Sequence, residues 1–156
     1  MRKSAAKKIG QEPDPKFKDP MVTRFVNVLM GSGKKGTAFS VYYDALDIVE
    51  KNMKENGHEV WKKALENIMP SVEVKTRRIG GANFQIPMEV RPDRKIAVAM
   101  KWMKTYAADR KGRSMAEKLA AEIQAAYKNE GAAIKKKEDT HKMAEANKAF
   151  SHFRLS

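Results

Sequence analysis

The chain has 156 residues and 42% hydrophobic content, enough for one domain that buries about two-thirds of its unfolded-chain surface. It carries 32 Lys and Arg against 19 Asp and Glu, a formal net charge of +13, which favours a polyanionic partner, and it has no cysteine, which excludes disulfides and thiolate metal sites. No apolar run approaches the ~20 residues of a membrane span, and no apolar stretch follows the basic N-terminus as a secretory signal requires, so a cytoplasmic protein with no membrane partner is expected.

Residues 1–18 lack apolar periodicity and contain Pro13 and Pro15. They read as an extended, flexible basic arm carrying Arg2, Lys3, Lys7 and Lys8. Asp19 then suits an N-cap and Pro20 the first helical position, with Val22, Phe25, Val26 and Leu29 at helical spacing and Gly31 as a stop. GSGKKG is a loop, after which Thr37 is placed to cap a second helix with Ala38, Val41, Tyr42, Ala45, Leu46 and Val49 on one face. ENG at 55–57 breaks that helix. A third follows with Val60, Ala64, Leu65 and Ile68 inward, and Pro70 ends it.

VEVKTRRIGGANFQIPMEV, residues 72–90, predicts a β-hairpin turning at Gly80-Gly81, since tandem glycines adopt the positive φ angles of a tight turn. Val72, Val74 and Thr76 share one face of the first strand, and Phe84, Ile86, Met88 and Val90 one face of the second. Such a half-apolar ribbon can pack on helices at its base while Lys75, Arg77 and Arg78 place cations towards the tip. Pro92 opens a fourth helix with Ile96, Ala99, Met100 and Met103 inward. Ser114 and Glu117 form a capping box for a fifth, with Leu119, Ile123 and Tyr127 inward and Gly131 as its stop. A last helix is expected from about Lys136 to Phe150.

The charge is concentrated. Residues 1–18 carry six cations against two anions, 72–95 six against three, and 132–156 six against three. A tail, a ribbon and a C-terminal segment sharing the excess points to nucleic acid. Arg110, Lys111 and Arg113 precede Ser114 at a helix N-terminus, where unpaired N–H groups and the dipole favour phosphate. The final stretch interleaves cations with His141, Asn147, Phe150, His152 and Phe153, groups that contact phosphates or stack on bases.

Catalytic readings fail. Gly31 and Gly36 have the glycine separation of a phosphate-binding P-loop, but Thr37 stands where the lysine belongs and the loop follows a helix instead of a strand. A flexible turn that lets Lys34 and Lys35 reach phosphates fits better. His141 and Glu145 are four apart, but two ligands make a weak metal site, and a helix-surface hydrogen bond is the more ordinary role. No nucleophile set is arguable, so no enzyme, metal, cofactor or small-molecule substrate is expected.

Taken together, DPKF at 14–17, FVNVLM at 25–30, GKK at 33–35, PSVEVKTRRIGG at 70–81, QIPMEVRPDRK at 85–95 and AIKKKEDTHKMAEANKAFSHFR at 133–154 resemble the bacterial small-ribosomal-subunit protein number seven family. The resemblance implies a mainly α fold: a helical RNA-binding domain over 19–156 with about six helices, a protruding hairpin and the basic arm. It implies a structural constituent of the small ribosomal subunit, a primary binder of 16S ribosomal RNA that nucleates assembly of the subunit head. The hairpin would lie at the subunit interface near exit-site tRNA and the mRNA path, with small-subunit proteins nine and eleven as neighbours. The ribosomal RNA contacts it implies, joined to the cations above, are Arg2, Lys3, Lys7, Lys8, Lys34, Lys35, Lys75, Arg91, Arg94, Lys95, Arg110, Lys111, Arg113, Ser114, Lys136, Lys137, His141, Lys142, Asn147 and Lys148. The hairpin residues near tRNA and mRNA would be Arg77, Arg78, Gly80, Gly81, Asn83 and Phe84. Three departures stand out: Phe at 84 where members often carry Tyr, an end reading HFRLS where many read HYRW, and EPDP in an arm that is often more basic.

The best rival of another class is an architectural DNA-binding protein with β-arms, which insert an apolar wedge between base steps. The GGAN tip offers no wedge, and Pro87 sits well down the strand.

Overall fold

A computed structural model describes residues 10–154, with side chains through Ser151; the roles expected of Arg2, Lys3, Lys7, Lys8, His152 and Phe153 lie outside the described residues. The chain forms α1 (Pro20–Leu29), α2 (Lys35–Met53), α3 (Gly57–Ile68), β1 (Val72–Ile79), β2 (Ala82–Glu89), α4 (Pro92–Asp109), α5 (Met115–Tyr127) and α6 (Ala132–Ala146). A 3-10 segment, Lys148–Arg154, follows. Mainly helical architecture with one antiparallel hairpin is what the periodicity predicts.

The apolar faces of α1, α2 and α3 meet around Phe25, Tyr42 and Trp61, whose ring centroids lie 5.4–5.8 Å apart with the tilted geometry aromatic pairs favour. All three are fully buried. α5 packs on α2, α3 and α4, and Leu119 and Ile123 join Met100 and Met103 in the same core. Burying each such side chain contributes roughly 1.5–3 kcal/mol. Trp61 lies at helical spacing with Ala64, Leu65 and Ile68, a pattern that periodicity alone could have revealed.

Local signals place several boundaries where expected. The Asp19 carboxylate accepts from Met21 N at 2.8 Å, with Pro20 opening α1. Asn56 caps α3 by accepting from His58 N and Glu59 N. Gly57 is needed there for close approach, since a Cβ would stand 2.8 Å from the Leu46 carbonyl oxygen of α2. Ser114 accepts from Glu117 N at 3.2 Å, but the returning Glu117 carboxylate takes Arg113 N, one residue before the usual capping-box partner.

Other boundaries differ from expectation. Thr37 does not cap α2: Ser32 (φ 52°) and Gly33 (φ 75°) reverse the chain at once, so the helix starts at Lys35. α6 starts at Ala132, because the Glu122 carboxylate of α5 accepts from Ala133 N and supplies a cap that no neighbouring residue provides. It ends at Ala146, four residues before the expected Phe150. Tyr127 is half-buried, its hydroxyl donating to Glu55 at 2.8 Å. Residues 14–18 do not continue the extended arm but fold into a turn docked on the helices, with Asp14 buried.

In the hairpin, Gly80 and Gly81 have φ of 56° and 89° and form the two-residue turn between Ile79 and Ala82. That turn sets Val72 opposite Glu89, Lys75 opposite Ile86 and Arg77 opposite Phe84. Directly opposed residues share a face, so Val72, Val74 and Thr76 lie on one side and Phe84, Ile86 and Met88 on the other. The ribbon is therefore not a bilayer with one apolar side. α6 and the C-terminal 3-10 segment lie against it, and Phe84 meets Phe150 at 5.3 Å between centroids. The chain's own C-terminal segment thus supplies the packing that a third strand would give, while residues 80–83 at the tip are exposed.

Candidate nucleic-acid interface

Cations far apart in sequence collect on two surfaces. The first is built by the hairpin, the start of α4, and α6. His141 on α6 accepts at Nε2 from Ser71 N at 3.1 Å, tying the helix to the hairpin base. Because Nε2 accepts, the imidazole is neutral with its proton on Nδ1. Burial and, next, the Lys137 ammonium hold its pKa below the usual histidine value, which keeps that acceptor available. Asn147 donates to Gln85 Oε1 at 3.4 Å and to the Met143 carbonyl at 2.8 Å, fixing the other end of α6 to β2. Arg94 pairs through Nε with both oxygens of Glu73, at 2.8 and 2.9 Å, and so joins α4 to β1. On these elements Lys75, Arg77, Arg78, Arg91 and Lys148 are exposed and Lys95 and Lys136 half-buried, whereas exposed Lys142 lines a separate groove with Glu130, Glu138 and Asp139 at the α5–α6 loop. Lys137 is engaged inside it, donating to the Asn67 carbonyl at 2.7 Å.

The second surface joins the loop before α2 to the start of α5. An open groove of about 260 Å³ between them is lined by Leu29, Gly31, Lys34, Val41, Ala108 and Met115, among others, so the α1–α2 loop and the N-terminus of α5 are neighbours. Lys34, Lys35, Lys111, Arg113 and Ser114 are exposed here. Both helix N-termini present N–H groups on this side, and the dipoles add to the cations' attraction for phosphate. Lys104 supports the groove wall by donating to the Val28 carbonyl at 2.6 Å. Lys118 does the same for the Ala108 carbonyl at 3.1 Å. Sequence reasoning named neither, since a lysine on a helix reads alike whether it caps a neighbouring helix or faces water.

Arg110 stands apart from its neighbours. Its Nε donates to Glu122, a carboxylate with 0% exposure that also accepts from Ala133 N. The guanidinium is thus the counter-ion of a buried charge linking α4, α5 and α6. This is a structural task that the run RKGRS does not reveal.

Among the described residues no group of three or more His, Asp or Glu could hold a metal, and His141, considered with Glu145 for that role, is engaged with Ser71. Among the same residues no helix is long and apolar enough to cross a membrane. Pro87 is buried at the hairpin base, so it cannot act as the intercalating wedge of a DNA-bending arm.

Comparison with known proteins agrees with this picture. The family model described as ribosomal protein S7p/S5e matches residues 1–148. The chain is 63% identical to the small ribosomal subunit protein uS7 of Flavobacterium psychrophilum, over 99% of this chain and 100% of that one. It is 61% identical to the protein of the same name from Cytophaga hutchinsonii, with the same coverage. The identity is 55% to that from Sorangium cellulosum, over 91% of each chain.

Proposed function

Since the chain belongs to the ribosomal protein S7p/S5e family, a structural and not an enzymatic constituent of the small ribosomal subunit, we propose that it is a primary binder of 16S ribosomal RNA that nucleates assembly of the subunit head. It binds ribosomal RNA within the ribosome and serves translation. The observation that carries the finer reading is the convergence of cations from residues 34 to 148 onto two surfaces held by internal bonds, among them His141 to Ser71 and Asn147 to Gln85.

On this reading Lys34, Lys35, Lys111, Arg113 and Ser114 hold one stretch of RNA backbone at the α2 and α5 N-termini. Lys75, Arg91, Lys95, Lys136 and Lys148 hold another, Lys142 adds a contact from its separate groove, and Arg2, Lys3, Lys7 and Lys8 extend the grip. Arg94, Arg110, Lys137, His141 and Asn147 keep the surfaces in shape. Neutralised phosphates supply most of the affinity, and the fixed spacing of the two surfaces selects a folded RNA junction by shape. Arg77, Arg78, Gly80, Gly81, Asn83 and Phe84 form the hairpin end that reaches exit-site tRNA and the mRNA path, with small-subunit proteins nine and eleven alongside. The cytoplasm of a bacterial cell is the compartment this implies.

Filter binding to an RNA fragment of the subunit head, across a salt series and against equal-length duplex DNA and an unrelated folded RNA, tests the proposal. Binding that resists both competitors and weakens by orders of magnitude between about 50 and 200 mM salt is expected if six to ten phosphates are neutralised. Equal affinity for all three nucleic acids would reduce the protein to a general polyanion binder and reopen the architectural DNA reading.

A further inference from the structure

Asn56-Gly57 is the one Asn-Gly dipeptide in the chain, and it stands at the junction of α2 and α3. Lys54, with φ of 57°, reverses the chain after α2, and the exposed Asn56 caps α3 in extended backbone, with φ −63° and ψ 115°. Packing imposes the glycine. Gly57 is buried, and a Cβ there would stand 2.8 Å from the Leu46 carbonyl oxygen and 3.0 Å from Glu50 Cγ. The close approach of α2 and α3 thus requires the dipeptide most prone to cyclise on itself, because a glycine amide has no side chain to hinder its attack.

In that reaction the Gly57 nitrogen attacks Asn56 Cγ. A new N–Cγ bond forms, the bond from Cγ to the side-chain nitrogen breaks, and ammonia leaves with the proton that Gly57 N gives up. Water then opens the five-membered imide at either carbonyl. One opening leaves aspartate at 56, and the other leaves an isoaspartyl link whose main chain runs through the former side chain. One water is consumed and one ammonia released, with no change of oxidation state.

The fold holds the pair away from this chemistry. The Gly57 N–H is one of the donors that a helix N-terminus leaves open, and Glu50 Oε1 reaches back from α2 to accept it at 3.0 Å. The proton of the nucleophile is thereby bound, and the adjacent carboxylate disfavours its loss. Asn56 Oδ1 is turned to the helix, where it accepts from His58 N at 3.0 Å and Glu59 N at 3.4 Å. Ring closure also requires Asn56 Cβ and Gly57 N to eclipse about the Cα–C bond, and ψ of 115° keeps them far from that arrangement. Turning the bond would break the first hydrogen bond of α3, from Val60 N to the Asn56 carbonyl at 3.0 Å. Glu55, one residue earlier, is fastened to α5 by the Tyr127 hydroxyl.

We propose that Asn56 is a deamidation site gated by folding, with Glu50 as the residue that keeps it shut. While α3 is capped the pair is inert. Once the corner between α2 and α3 opens, Gly57 N is free to attack, and the isoaspartyl product inserts an extra backbone carbon at the cap. Aspartate at 56 would still cap the helix, but the isoaspartyl link displaces the acceptor from His58 N and Glu59 N. The lesion therefore accumulates in chains that stay unfolded and hinders their return.

The test ages the whole protein in native buffer and in urea at mildly alkaline pH. Each asparagine is followed by peptide mass spectrometry, and isoaspartate is scored with an isoaspartyl methyltransferase. Asn27, Asn52, Asn67, Asn83, Asn129 and Asn147, none followed by glycine, serve as internal standards. In urea Asn56 should outpace every standard by roughly tenfold or more, and in native buffer it should outpace none, since the folded chain reacts only through its opened fraction. Glu50→Ala should raise the native rate at Asn56 by on the order of tenfold, the effect of losing a hydrogen bond to a charged group, while the standards hold steady. Glu50→Asp, whose carboxylate falls one carbon short of Gly57 N, should act in the same direction and decides the matter where Glu50→Ala unfolds, a state all asparagines would report together. A folded Glu50 variant with the parent rate at Asn56 would overturn the role of Glu50. Equal rates at Asn56 in native buffer and in urea would overturn the gate itself.

Discussion

Arg110→Ala separates a structural cation from an RNA-binding one. The substitution strands Glu122, whose side chain has 0% exposure and, among the described residues, then keeps Ala133 N, at 3.0 Å, as its partner. Removing one member of a buried ion pair costs about 3–5 kcal/mol. The Arg110 side chain is 32% exposed, so water can partly replace it, and a loss of about 2–4 kcal/mol is the better expectation. For a domain of this size, at roughly 2–4 °C per kcal/mol, the melting temperature should fall by about 5–15 °C. Thermal unfolding followed by circular dichroism reads this directly, and filter binding well below the melt reads RNA affinity on the same sample. Arg110→Ala combined with Glu122→Ala should be less destabilised than the two single losses summed, because no buried charge is then left unpaired. The reasoning is refuted if Arg110→Ala melts within a degree or two of the parent while losing tenfold or more in RNA affinity. That pattern belongs to a phosphate-binding arginine.

Trp61→Ala should cost about 3–5 kcal/mol, a large share of a typical domain's stability, because the indole is buried between Phe25 and Tyr42; denaturant melts check it. Gly57→Ala should cost roughly 1–3 kcal/mol, since the new Cβ meets the Leu46 carbonyl at 2.8 Å and α2 must shift; an unchanged melt would mean the two helices slide apart freely. His58 and His141 both have folded pKa values below 6.5, His58 through burial and then Lys62, which together outweigh the pull of Asp19, and His141 through burial and then Lys137. The unfolded chain therefore binds protons first as the pH drops, so the stability these groups contribute is complete above about pH 6.5 and is lost as the pH falls through their folded values. Denaturant melts at pH 7.5 and 5.5 should show the decline, and a slope that survives in His58→Gln/His141→Gln would assign it to other groups. Deleting residues 78–83 should leave the helical circular dichroism and ribosomal RNA binding intact while weakening retention of exit-site tRNA by small subunits. Loss of helical signal would show that the tip, and not only the hairpin base, supports the fold.

The sequence alone determined the features that depend on near neighbours in the chain. Helical period marked the inward faces of α1 to α5, Asp19-Pro20 marked the start of α1, and Gly80-Gly81 marked the hairpin turn, because caps and turns are satisfied within a few residues. The concentration of charge, and the ordered segments shared with a ribosomal family, were equally legible. Tertiary structure decided what required a partner distant in sequence. The start of α6 depends on Glu122 reaching Ala133, and the faces of the hairpin depend on a register that composition does not encode. Asp14 reads as one more polar residue of an arm until Tyr43, twenty-nine positions away, folds over it. Arg110, Lys104 and Lys137 are indistinguishable in sequence from the cations around them, because a lysine or arginine has the same local preference whether it faces water or a buried acceptor. Which cations face a partner and which hold the fold together is set by the acceptors that packing brings within reach, and packing is a property of the whole chain.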